Sequence, residues 1–235
     1  MADYNEDEQV EALKNWLDEN GTSLIIGIVL ALAAVFGYQS WEKSVQQTGE
    51  AASALYENLS SVAVISPLQT LSDEDKATAT FIAEQLKTDY QDTSYAIFAA
   101  MHMAKIAVSE SDLDKAEAEL NWALAQKPEA SLVPILNLRL AQIKFAREDY
   151  DAALKLLAGN AGEHESSFAE LRGDVYYAQG DMTRAREAYQ QGLDSLTENF
   201  NKPMLKMKLE DLVAPDVSVP AEATQAAASS EGDAG

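Results

Sequence analysis

The sequence predicts an all-α protein: one apolar helix near the start, followed by a stack of short helical hairpins. Three observations lead there. An uncharged run extends from Asn20 to Trp41, "NGTSLIIGIVLALAAVFGYQSW". The remainder is rich in Ala, Leu, Glu and Lys, with few glycines and few β-branched runs, a composition that favours helix. Small residues also recur at matching positions of successive helix pairs.

The uncharged run is long enough to cross a bilayer, which takes about 20 apolar residues for roughly 30 Å of hydrocarbon. Leu24, Ile25, Ile26, Ile28, Val29, Leu30, Leu32, Val35 and Phe36 fill it without a polar face, so a soluble core helix is disfavoured. Tyr38 and Trp41 supply amphipathic aromatics for the headgroup boundary. "ALA" at Ala31 to Ala33 could serve as a signal-peptide cleavage site, but the preceding "MADYNEDEQVEALKNWLDENG" carries seven acids and one base, Lys14. Secretory signals begin with a basic stretch, so an uncleaved anchor over residues 22–41 is the expectation. Before it, residues 1–21 form an acidic amphipathic segment in which Val10, Leu13, Trp16 and Leu17 recur at helical spacing. Asn20 and Gly21 are expected to end that helix. Lys14 and Lys43 flank the span almost symmetrically, so the charge bias that orients membrane proteins gives no side.

After the span, helices are expected at residues 42–64, 73–88, 94–108, 113–126, 131–147, 150–158, 166–179, 183–196 and 203–212. Turn and cap signals separate them: Ser72 three residues before Asp75 as a capping box, "SESD" before Leu113, Pro128, and Gly180 with Asp181. Within this pattern lies a hairpin repeat. "LRGDVYYAQGDMTRAREAYQQGL" sets Gly173 and Tyr176 on a first helix and Ala185 and Tyr189 on a second, matching the tetratricopeptide pattern of about 34 residues. "NLRLAQIKFAREDYDAALKLL" repeats it with Ala141, Ala153 and Leu157, and "MAKIAVSESDLDKAEAELNWALAQKP" with Ala104, Ala116, Leu120 and Ala123. Ala116, Ala153 and Ala185 are 37 and 32 residues apart, which straddles the period and implies small length changes. The fold class is therefore a tetratricopeptide-like, right-handed helical-hairpin solenoid over residues 42–212. An ordinary helical bundle with incidental alanines is the competing reading.

Charge and composition remove several functions. Against 17 Lys and Arg stand 39 Asp and Glu, a formal charge of −22, which repels a nucleic-acid backbone. No cysteine is present, excluding disulfides and thiolate chemistry. The two histidines, His102 and His164, have no nucleophile or metal partner at a recognisable spacing, and no phosphate loop or nucleophile elbow occurs. An enzyme is not expected, and no cofactor or metal. From residue 213 the chain turns to "VAPDVSVPAEATQAAASSEGDAG", too poor in apolar residues to offset its ordering entropy, so a disordered acidic tail is expected. Just before it, Met204, Leu205, Met207, Leu209 and Leu212 form an apolar stripe, read either as a cover for the last repeat or as a Met-rich binding surface.

These segments, in their order, resemble the YfgM-type inner-membrane proteins, a family of ancillary SecYEG translocon subunits. The likeness rests on "DEQVEALKNWLDENG" leading into the span, "GYQSWEKS" after it, "ILNLRLAQIKF", "LRGDVYYAQGD" and "MLKMKLEDL". The resemblance implies a cytoplasmic N-terminus, one inner-membrane span and a periplasmic repeat domain. It also implies association with the SecYEG channel and with a PpiD-type periplasmic chaperone. Stacked hairpins leave a face lined by the first helix of each pair. On the repeat alignment that face holds Met101, Lys105, Leu138, Gln142, Phe145, Asp174 and Tyr177, a mixture expected to favour an apolar or mixed partner surface over an acidic chain end. The function expected is a membrane-anchored adaptor that helps pass exported chains to folding factors. A scaffold of another envelope complex and a self-assembling repeat module stand beside it.

Overall fold

The computed structural model describes residues 3–64, 71–196 and 201–213. The chain forms two compact units that meet in sequence at Lys115 and Ala116. Of the tail expected over residues 213–235, Val213 is instead the last residue of a helix, Pro203–Val213, and residues 214–235 lie outside the described residues.

The first unit begins with α1 (Asp3–Val62), 60 residues without a break and so about 90 Å long. Asn20 and Gly21 do not end a helix, which corrects the sequence expectation. The Asn20 Nδ2 donates to the Trp16 carbonyl at 3.1 Å, a bond along the helix instead of a cap. The physical reason lies downstream. A span beginning at Thr22 would leave its first four N–H groups orphaned at the edge of the hydrocarbon. Continuing the helix upstream satisfies them, at a cost of about 1 kcal/mol for Gly21.

The helix expected at residues 42–64 is the far end of α1. Its first buried residue is Ala52. From there Ala52, Leu59 and Ala63 pack with Ala79, Ala83 and Leu86 of α2 (Asp73–Asp89) and with Ala99, Met103 and Ile106 of α3 (Ser94–Ser109). Leu59, Leu86 and Met103 are fully buried, each contributing about 2 kcal/mol of transfer free energy. The alanines between them let the helix axes approach. Ser72 caps α2 by accepting from the Asp75 N–H at 3.1 Å and donating to its carboxylate at 2.7 Å.

The second unit takes in most of α4 (Leu113–Ala125), then α5 (Val133–Ala146), α6 (Tyr150–Leu157), a 3-10 turn (Gly162–His164), α7 (Glu165–Ala178), α8 (Met182–Asp194) and α9 (Pro203–Val213). Helices α5 and α6 pack as one hairpin and α7 and α8 as the next, while α7 also touches α5 and α6. Ala141, Leu157, Phe168 and Leu171 form the core between them.

Three turns repeat one hydrogen-bond pattern. Ser111, Glu148 and Gly180 adopt positive φ, at 62°, 61° and 81°. Each is followed by an Asp whose N–H reaches the carbonyl five residues back at 2.9 Å: Asp112 to Ala107, Asp149 to Lys144 and Asp181 to Tyr176. This is a Schellman termination. The same three carboxylates then cap the next helix, accepting from the N–H groups of Lys115, Ala152 and Arg184 at 3.0, 3.3 and 2.9 Å.

At the α7–α8 crossing Gly173 faces the ring of Tyr189, so closely that any Cβ there would overlap ring atoms. Ala185 is fully buried in one cluster with Tyr189, and Tyr176 is half-buried against it, with the Arg184 guanidinium 4.7 Å above the Tyr176 ring centre. Ala104, Ala116, Leu120, Ala123 and Ala153 are likewise buried on their own helices. Helix α9 covers α8 through Leu205, Leu209 and Leu212, whereas Met204 and Met207 stay exposed. The C-terminal stripe thus divides, its leucines serving as the cover and its methionines facing outward.

Candidate protein-interaction surface

In the second unit α5, the 3-10 turn and α7 border an open cleft of about 410 Å3. The spacing that points α5 inward also exposes part of it. Leu138 lies on the floor, 4% exposed and within the core, and Gln142 stands on the rim, accepting from Arg139 at 3.1 Å. Phe145 is half-buried against the core, its ring 6.1 Å from Tyr150. Tyr177 is 53% exposed.

Asp174 also lines the cleft, but its carboxylate is engaged. Lys208 of α9 donates to it at 2.7 Å and the Tyr189 hydroxyl at 2.8 Å. Glu170, one turn earlier, accepts from Lys208 at 3.1 Å and from Lys202 at 3.1 Å, while Lys202 also reaches Ser167 at 3.0 Å. Burial would raise the Glu170 carboxyl, but hydrogen bonds from Lys208 and Lys202, with their charges, hold it below the ordinary range. Burial would lower the Lys208 ammonium, and the bond to Asp174 raises it. Burial and the bond to Asp174 both raise the Tyr189 phenol, which stays a donor. The two acids are thus matched by two lysines. Arg139, on the same cleft, has no carboxylate partner among the described residues, and His164 is half-buried beside it.

This changes the electrostatic expectation. The face assigned from sequence contained Asp174 and no cation in this unit. The cleft instead combines neutralised acids with Arg139, so a carboxylate is not repelled from it. Lys202 and Lys208 escaped sequence reasoning because they come from outside the repeat helices, about 30 residues after their partners.

The first unit carries Met101, half-buried, and Lys105, exposed. Next to them is a group that sequence reasoning passed over. Tyr56 of α1 has its ring centre 5.6 Å from each of Tyr95, Phe98 and His102 on α3, and its hydroxyl is 3.3 Å from His102 Nε2. All four are half-buried, so an aromatic surface faces outward. The spacing of 95, 98 and 102 on one helical face was its sequence signal; Tyr56 comes from a helix 40 residues earlier. Burial, then the charge of Lys105, lowers the His102 pKa from its ordinary value.

Among the described residues no cluster of His, Asp or Glu has the arrangement of a metal site. Within α1, one stretch has a mean hydropathy of 2.1 with none of it buried, so it is not a soluble core helix. It is the only described helix long and apolar enough to cross a membrane. These features define a helical-hairpin repeat protein with a candidate membrane span and aromatic and polar surfaces suited to protein contacts.

Comparison with known proteins agrees. Residues 14–214 match the tetratricopeptide repeat-like domain family. The ancillary SecYEG translocon subunit of Escherichia coli (strain K12) is 32% identical over 209 residues, covering 88% of this chain and 97% of that protein. Its Haemophilus influenzae counterpart is 32% identical over 208 residues, with the same coverage. That of Neisseria gonorrhoeae is 26% identical over 219 residues, covering 90% and 99%. No solved structure matches. The chain belongs to the tetratricopeptide repeat-like domain family and, within it, to the ancillary SecYEG translocon subunits.

Proposed function

We propose that this protein is a membrane-anchored adaptor at the SecYEG translocon. Its residues 22–41 span the inner membrane, its N-terminus lies in the cytoplasm, and its repeat domain works in the periplasm. There it contacts a PpiD-type chaperone and helps pass exported chains to folding factors. The observation that carries the reading is α1 itself: a single helix joins the uncharged span to the packed hairpins without a break. Between Trp41 and Ala52 no side chain is buried, which makes a stalk of about 16 Å. An anchor of this kind raises the local concentration of the domain beside membrane partners, so individually weak contacts suffice.

The contacting groups in this reading are the aromatic surface around Tyr56 and Phe98, with Met101 and Lys105, and the cleft of the second unit with Gln142, Arg139 and Tyr177. Photocrosslinking in cells from Phe98, Met101, Gln142 and Tyr177 of the full-length protein, followed by mild-detergent purification, tests it. Adducts with channel subunits and a periplasmic chaperone support the adaptor. Adducts with cytoplasmic proteins alone overturn both topology and function. Adducts only with further copies of the chain point to a self-assembling module.

A further inference from the structure

The segment before the span is a helix whose apolar residues are left exposed by every described residue. Val10, Leu13, Trp16 and Leu17 are 52%, 59%, 49% and 50% exposed. At about 100° per residue they share an arc of roughly 120°, whereas Glu8, Glu11, Asp18 and Glu19 occupy the other side of the helix. An exposed apolar stripe backed by acids calls for an occupant.

The bilayer surface is a poor one. Because α1 continues through Asn20 and Gly21 as one helix, Val10 stands roughly 15 Å beyond Asn20 along its axis, and the stripe leads away from the span instead of lying along the membrane. Anionic headgroups would also repel four acids. A second copy would bring the same four acids against each other. The complementary surface is a basic one with an apolar ridge. Cytoplasmic flanks of membrane proteins carry an excess of Lys and Arg, and such flanks lie within reach of this helix.

We propose that residues 8–19 dock the Lys- and Arg-rich juxtamembrane flank of a neighbouring membrane protein. Leu13 and Leu17 lie against its apolar ridge, and Glu8, Glu11, Asp18 and Glu19 pair with its bases. This rests on the cytoplasmic placement of the N-terminus proposed above.

The test uses the full chain in phosphatidylcholine vesicles, with a donor dye on Ala12→Cys, the chain having no native cysteine. The probe is a designed single-span helix whose flank contains Lys and Leu, labelled with an acceptor, and its control has each flank Lys replaced by Gln. Energy transfer to the basic probe should saturate, weaken with salt, and exceed that to the control at least tenfold in affinity. Leu13→Ser with Leu17→Ser, and separately the charge-neutral Glu8→Gln, Glu11→Gln, Asp18→Asn, Glu19→Gln variant, should each lose about tenfold. Equal binding of the two probes overturns the proposal. So does transfer between two labelled copies without probe, or a dye shift on anionic vesicles alone. Orientation is read separately, by an impermeant maleimide on Ala12→Cys in intact spheroplasts. Labelling there overturns the cytoplasmic placement, whereas protection combined with absent probe binding overturns the docking alone.

Discussion

Replacing Gly173 with Ala tests how the last hairpin closes. In an exposed helix this change would stabilise by about 1 kcal/mol. At this crossing the added Cβ overlaps Cδ1 and Cε1 of the Tyr189 ring, and Tyr189 is itself 3% exposed, so the ring has nowhere to swing. Displacing it costs about 1–3 kcal/mol in forced repacking. It also breaks the hydroxyl bond to the Asp174 carboxylate, worth about 1.5–3 kcal/mol for a charged acceptor. Set against the propensity gain, a net loss of about 3 kcal/mol remains. Urea unfolding of the full-length protein in detergent, followed by far-UV circular dichroism, measures it. Combining Gly173→Ala with Tyr189→Leu should cost at least about 1 kcal/mol less than the sum of the single changes, because they share one contact. A stabilised Gly173→Ala protein, or strict additivity, would refute the close approach.

Lys208→Met should destabilise the second unit by about 1–3 kcal/mol at neutral pH, since Glu170 and Asp174 lose a shared cation. The Glu170 carboxyl sits below its ordinary 4.5, so its contribution is present above that value and lost as pH falls through the lower folded value. The acid limb of an unfolding profile should therefore flatten in Lys208→Met. His102 sits below its ordinary 6.5 through burial and then the charge of Lys105, and the unfolded chain takes up its proton first. Stability of the first unit should thus be full above about pH 6.5 and decline below it; His102→Gln should remove that slope, and an unchanged profile would show that His102 does not titrate differently on folding. Gly180→Ala, at φ 81° with open space around it, should cost about 1 kcal/mol through backbone strain alone. Glu148→Gly at the equivalent turn should be neutral or stabilising, and thermal melts would show whether the pair differ in sign.

The sequence by itself determined most of the elements beyond the first helix. An uncharged run of 22 residues is long enough to cross a bilayer, where a helix satisfies every backbone group within the segment. The repeated Asp before each second helix fixes turns that the structure shows bond for bond at Asp112, Asp149 and Asp181. Those are local effects, decided within a few residues. Tertiary structure decided the rest, because it depends on groups distant in sequence. The continuity of α1 through Gly21 was illegible, since Asn and Gly carry the same local stop signal whether or not a span follows. The aromatic group on the first unit needed Tyr56 brought to α3, and the charge of the cleft needed Lys202 and Lys208 returned over Glu170 and Asp174. A side chain's position along its own helix is written in its spacing, but whether its charge is free or neutralised is decided by what the fold packs against it.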